Sequence, residues 1–422
     1  MRSLPLILYV LLVAIATSGN AQQLAVNSTL EGEEHDERRR LQMMKVMGGQ
    51  RGGPATTGIR AARRNDKRTV AKAERLKKLL RVIKTPVPDF LKPEPWSKPH
   101  TPNGPAIFAA AMSLEQRRPD AQMFCGTARK AKFDGDLVIA ILPGTDAGFV
   151  AALKEAKATV YTVKPLCTGE RHDTVCSFRE GEPKFSINMV RFYLYQWWAS
   201  MYSEEALIML SDFRDVFFQS NPFTYRTWDW APPVSQLVVF QEAYPNKVIY
   251  RCPFNGGWIS NCYGKEGLQR VGSNTVSCSG VTIGVRDAII VYAHLVTQQL
   301  DPRVRYGRNT TETNKACISL GMDQGFHNWL VYSGQLDKYV DVKIFQQGEG
   351  PVNTVGAFFP GERALLKFNL KTWKILQGEP PQVTVHNWNG DLSPVTHQAD
   401  RFLDKDLRGG YKANLKAAQG PF

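Results

Sequence analysis

The strongest constraint on the fold is a strand–helix–strand signal between Asp136 and Val163. Asp136–Leu142, DLVIAIL, is an apolar run stopped by Pro143-Gly144, the pattern of a buried strand. Asp146 is placed to cap a helix running to about Lys157, on which Phe149, Leu153 and Ala156 share one face. Thr159–Val163 reads as a second strand. Two strands joined by a helix of this length pair in parallel. The expected class is therefore α/β, with a mostly parallel central sheet flanked by helices.

A second buried strand carries chemistry at its end. Ala206-Leu207-Ile208-Met209-Leu210 is apolar, and Asp212 and Asp215 follow three residues apart with Arg214 between them. Val216-Phe217-Phe218 and the turn signal Ser220-Asn221-Pro222 come next. Open α/β sheets bind ligands at the carboxyl ends of their strands. Two carboxylates on one short turn there can share a hard divalent cation, Mn²⁺ or Mg²⁺, which in turn can hold a diphosphate. The bland alternative is a solvated turn with Arg214 paired to one Asp.

Other segments frame this one. Asn188–Tyr202 is apolar almost all round, so it reads as a buried helix, with Arg191 its conspicuous charge. Gln236–Glu242 and Val276–Val285 read as strands, and Asp287–Leu300 as a helix. Ser279-Gly280 permits close backbone approach to a ligand. Met322–Asn328 enters a helix toward Tyr332, where Asp323 suits an N-cap. Strand-like Gln382–Val385 runs into a loop that carries His386 and, further on, His397.

Composition limits the partners. The formal net charge is +14, but Gln22–His100 holds 18 Lys/Arg against 9 Asp/Glu. Much of the basic character thus belongs to an N-terminal arm, and nucleic-acid binding by the main domain is not expected. Residues 1–21 form a signal peptide with an apolar core from about Leu4 to Ala16, or a short type II Golgi anchor. Residues 22–105 are expected to be a largely disordered, basic, Pro-rich stem, with an amphipathic helix over Lys67–Ile83. The folded domain is expected over 106–403, followed by a polar tail over 404–422.

Seven cysteines in a secreted chain suggest disulfides. Cys167/Cys176, Cys252/Cys262 and Cys278/Cys317 are the candidate pairs, leaving Cys125 free. Connectivity does not follow from sequence. Asn27 and Asn309 head N-glycosylation sequons.

Asp212, Arg214, Asp215, Phe218, Gln219, Asn221, Pro222 and Phe223 match the form D-x-R-D-x-x-F-Q-x-[DN]-P-F. This segment resembles the metal-binding segment of GT-A-type glycosyltransferases, the nucleotide-diphospho-sugar transferases. Cys278-Ser279-Gly280, Asp323-Gln324 and His397-Gln398-Ala399-Asp400-Arg401 resemble later elements of the same proteins, with Ala399 where an aromatic is usual. The resemblance implies a GT-A-like single domain and metal-dependent sugar transfer, with retention of configuration weakly preferred. Asp212, Asp215 and His397 become the metal ligands, with His386 the competing imidazole. Asp323, Arg191 and Arg214 become catalytic candidates. Leu142, Pro143, Gly144, Ser279, Gly280 and Gln324 become donor-side candidates. The implied partners are a UDP- or GDP-linked sugar and a glycan or glycoprotein acceptor, with a membrane only if the N-terminal segment is uncleaved. The expected location is extracellular or the Golgi lumen. The alternative is a secreted, non-catalytic module of the same fold that binds carbohydrate or a host component.

Overall fold

The computed structural model describes residues 56–398 apart from 84–85, 170–174, 179, 181–183, 225–235, 244–245, 301–320, 356–367, 370–373 and 376–392. The N-terminal signal, both sequons, Cys317, Gln382–Val385, His386 and the stretch from Ala399 lie outside the described residues. The helices are α1 (Thr56–Val82), α2 (Arg118–Ala121), α3 (Thr127–Lys130), α4 (Ala147–Glu155), α5 (Ile187–Ala199), α6 (Pro253–Val271), α7 (Arg286–Gln298) and α8 (Met322–Tyr332). The strands are β1 (Ala106–Ala111), β2 (Asp136–Ile141), β3 (Thr159–Thr162), β4 (Leu166–Thr168), β5 (Val175–Ser177), β6 (Phe185–Ser186), β7 (Leu207–Ser211), β8 (Val216–Phe218), β9 (Gln236–Gln241), β10 (Ser277–Val285), β11 (Asp341–Phe345), β12 (Val352–Thr354), β13 (Phe368–Asn369), β14 (Lys374–Ile375) and β15 (Val395–His397).

Seven strands form the central sheet in the order β11-β9-β10-β7-β1-β2-β3. β1 pairs in parallel with both β2 and β7, β2 with β3, and β9 with β11. Only β10 runs against its neighbours β7 and β9. The fold is thus mixed α/β with a mostly parallel sheet flanked by helices, as the sequence predicts. Its inner strands read as continuous apolar runs because both faces are covered. Phe108, Val138, Ile208 and Val239 point toward α5, α7 and α8, and Ile107, Ile139, Met209 and Val238 toward α2, α3 and α4. Helix α5 buries Tyr195 and Trp198 fully, consistent with its all-round apolar sequence. Asp146 caps α4 as expected, its Oδ1 accepting from the Phe149 N–H at 2.9 Å.

The compact unit begins at Lys67, well before Ala106. Leu76, Ile83 and Leu91 are buried in its core. The described Pro-rich residues from Pro86 onward borrow hydrogen bonds from the sheet. The Glu94 N–H donates to the Val160 carbonyl at 2.7 Å. Buried Asp136 accepts from Thr101 N–H (2.6 Å), Tyr202 OH (2.8 Å) and Lys98 Nζ (3.0 Å). A segment docked on an existing sheet needs few apolar residues of its own. No helix among the described residues is long and apolar enough to cross a membrane.

Candidate metal centre

The parallel strands β1, β2, β3 and β7 end at one edge, and the carboxylates follow β7 there. The turn Asp212–Asp215 is anchored by Phe213, a buried ring that stacks on Phe124 (centroids 4.7 Å apart) and tilts against Phe149 (5.5 Å). With that ring in the core, the Arg214 side chain points outward, 72% exposed, and its Nη2 lies 3.8 Å from Asp215 Oδ2.

His397 reaches the turn through a small second sheet of order β12-β15-β8. β15 pairs antiparallel with β8 so that His397 faces Val216, and the Gln398 N–H donates to the Asp215 carbonyl at 2.8 Å. The imidazole Nε2 then lies 3.4 Å from Asp212 Oδ2 and 3.3 Å from Asp215 Oδ1. One ligand atom from each residue falls within 4.8 Å of the others. Nε2 is buried and makes no hydrogen bond of acceptable geometry. A buried, unpartnered imidazole nitrogen facing two carboxylates is a donor set for a divalent cation, so this cluster could hold one. The backbone leaves room for it at Gly280, where a Cβ would stand 2.2 Å from His397 Cε1 and 2.8 Å from Asp212 Oδ2.

Arg191 ties this cluster to Asp323. One guanidinium nitrogen donates to Asp212 Oδ1, and Nη2 donates to Asp323 Oδ2 at 2.8 Å. The Ser279 hydroxyl also donates to Asp323 Oδ2, at 3.2 Å. Asp323 therefore points into the site from the first turn of α8, whose N-cap is Gly321, and does not cap the helix itself. Burial opposes the charged form at each of these groups. At Asp212 the cations Arg191 and His397 prevail and hold the carboxyl well below the usual range. At Asp323 burial prevails over Arg191, aided by the like charge of Asp212, and the carboxyl is raised. Burial also disfavours a charged His397, yet Cys278 and the two carboxylates raise it well above the usual histidine value.

Leu142 and Pro143 line a cavity of about 390 Å³ with Met112, Lys164, Pro165 and Ile187. Met112, Leu142 and Lys164 lie just past β1, β2 and β3, on the edge that carries Asp212 past β7. Ile187 and Arg191 sit one turn apart on α5, so this helix runs from the cavity to the carboxylates. Gly144 follows at a positive φ of 81°. Gln324 turns aside: its Nε2 donates to Asn255 Oδ1 at 3.4 Å. Asn328 nearby pins α8 to β10, accepting from Ser277 N–H (2.8 Å) and donating to the Ser277 carbonyl (2.9 Å).

Cys167 and Cys176 form a disulfide across β4 and β5, which pair antiparallel at these residues. The other two pairings are overturned. Cys252 and Cys278 are free buried thiols, as is Cys125, and Cys262 is disulfide-bonded but not to Cys252. Cys252 precedes α6 and Cys262 lies inside it. Ten residues of helix rise about 15 Å, far beyond disulfide reach. Cys278 instead lies 3.3 Å from His397 Nδ1, a contact that sequence reading missed. Its placement in Cys278-Ser279-Gly280, beside two residues chosen as donor-side candidates, is the signal that could have found it. Lys164 lines the cavity, and nothing marks it in the sequence beyond its place after β3.

No family model and no curated protein matches the chain. Among solved structures it is similar to the galactosyltransferase LgtC, solved in complex with donor and acceptor sugar analogues. The two share 12% identity, with 75% of this chain and 95% of that chain covered at a TM-score of 0.40.

Proposed function

We propose that the chain transfers a sugar from a nucleotide-diphosphate donor, UDP- or GDP-linked, to a glycan or glycoprotein acceptor. The observation that carries this reading is the unpartnered His397 Nε2 facing Asp212 and Asp215 at the carboxyl edge of the parallel strands. The D-x-R-D-x-x-F-Q-x-[DN]-P-F segment supports it from the sequence side. A divalent cation, Mn²⁺ or Mg²⁺, held by Asp212, Asp215 and His397 supplies neutralisation of the charge that grows on a leaving diphosphate.

The remaining roles belong to the chain itself. Arg191 holds Asp212 and Asp323 in fixed relation, so the leaving-group end and the sugar end of the donor share one frame. Asp323 faces the sugar or the acceptor hydroxyl, and its raised pKa suits proton exchange there. Arg214, on the solvent side, offers a cation to the diphosphate. Ser279-Gly280 lets backbone approach the sugar, and the cavity at Leu142 and Pro143 takes the nucleoside. Gln324 serves through Asn255, shaping the donor side from one step away. Retention of configuration, and a hexosyl or pentosyl donor, fit the resemblance. The reading of residues 1–21 as a signal peptide or short anchor supports a place in the secretory pathway or outside the cell.

The test is a panel of UDP- and GDP-sugars assayed for nucleotide release, with Mn²⁺ or Mg²⁺ present or chelated. Metal-dependent release that disappears in Asp215→Asn supports transfer. Cation binding without turnover of any donor would instead support a carbohydrate-binding module on this fold.

A further inference from the structure

Strand β10 changes register between Cys278 and Thr282, where it pairs with β9. Such irregularities re-aim side chains and recur beside functional sites. Here three consecutive residues each meet a different part of the centre. Gly280 lies under His397 and Asp212. Ser279 donates to Asp323. Cys278 meets the far side of the His397 ring, Sγ to Nδ1 at 3.3 Å, and both side chains are buried.

We propose that Cys278 is a positioning residue for the metal ligand His397, its sulfur accepting from Nδ1–H so that the Nε2 lone pair faces Asp212 and Asp215. This inference rests on the metal-centre reading above. An imidazole that ligates through Nε2 must carry its proton on Nδ1, and that proton needs an acceptor in a dry interior. Among the described residues, Cys278 Sγ is the hydrogen-bond partner found for Nδ1. The sulfur also accepts from the Gly280 N–H at 3.4 Å, which fixes it relative to the glycine beneath the ring. The sulfur lies on the opposite side of the ring from Nε2, so it orients the ligand and does not join the coordination sphere. This also explains why Cys278 is a free thiol: a disulfide would remove the acceptor from that position.

The experiment compares Mn²⁺ affinity of the full chain in wild type, Cys278→Ala and Cys278→Ser, read by the electron paramagnetic resonance of free Mn²⁺. Loss of an outer-shell partner of this kind weakens metal binding by about 10- to 100-fold. Cys278→Ala is expected to show that loss, and Cys278→Ser, which keeps an acceptor, to recover most of the affinity. Long-range ¹H–¹⁵N correlation on the Mg²⁺-loaded protein is expected to show His397 protonated on Nδ1 in wild type and Cys278→Ser. If Cys278→Ala binds Mn²⁺ as tightly as wild type, or both variants lose affinity equally, the positioning role is overturned while the metal centre stands. Wild type that binds no divalent cation overturns the metal-centre reading and this inference with it.

Discussion

His397 Nε2 lies 3.3 Å from Asp215 Oδ1, and the backbone holds the two residues together as well, through the Gln398 N–H on the Asp215 carbonyl at 2.8 Å. The imidazole is therefore delivered to the carboxylate by strand pairing, not by a flexible side chain reaching across a cleft. Disturbing the ring's surroundings should change metal binding before it changes the fold.

Gly280→Ala is the sharpest such disturbance. The added methyl would fall 2.2 Å from His397 Cε1, so the ring must move. We expect a stability loss of about 1–3 kcal/mol, the usual range for overpacking. We also expect at least a tenfold loss of Mn²⁺ affinity. Thermal melts and a Mn²⁺ titration on the same variant check both.

Arg191→Met removes the cation shared by Asp212 and Asp323. Breaking a buried ion pair from one side costs about 3–5 kcal/mol, because the remaining charges are left without compensation. Urea denaturation should show a loss of that order. Arg191→Met/Asp323→Leu should recover part of it, because one stranded carboxylate is gone.

His327 gives a pH signature away from the carboxylates. Its ring is wholly buried between Ser277 Oγ (2.8 Å) and Tyr292 OH (2.7 Å), and burial lowers its pKa from 6.5 to about 3. The folded protein keeps this histidine neutral while the unfolded chain takes up a proton. Its contribution to stability is full above the unfolded value of 6.5 and is lost as pH falls from there toward 3. The slope is at most about 1.4 kcal/mol per pH unit. Denaturation of wild type and His327→Gln between pH 7 and 5 should show the steeper decline in wild type.

Much of the frame was legible because its strands are apolar runs with clear stops. DLVIAIL and ALIML each became a strand, and the Asp146 cap marked the helix between β2 and β3. β1 was not recognised, although it pairs with both β2 and β7. Its sequence, AIFAAA, has one β-branched residue, so propensity is silent and the neighbouring strands decide its conformation. Helix α6 was hidden by Gly256 and Gly257, which weaken a helical pattern; at Gly256 the helix packs closely, and a Cβ there would lie 3.0 Å from the Ile249 carbonyl. Asp212, Asp215 and His397 were each marked by local motifs. What brings them together, the pairing of β8 with β15, is long-range and leaves no local sequence pattern. The Cys278 contact was missed for the same reason, and a disulfide was assigned in its place.

The most direct test of the metal-dependent donor site is calorimetric titration of the full chain with UDP and GDP, with and without Mn²⁺. Binding of one nucleotide that requires Mn²⁺ and is lost in Asp215→Asn while the fold persists is the expected result. Equal binding in the absence of any divalent cation, or no binding of either nucleotide by a folded protein, would contradict it.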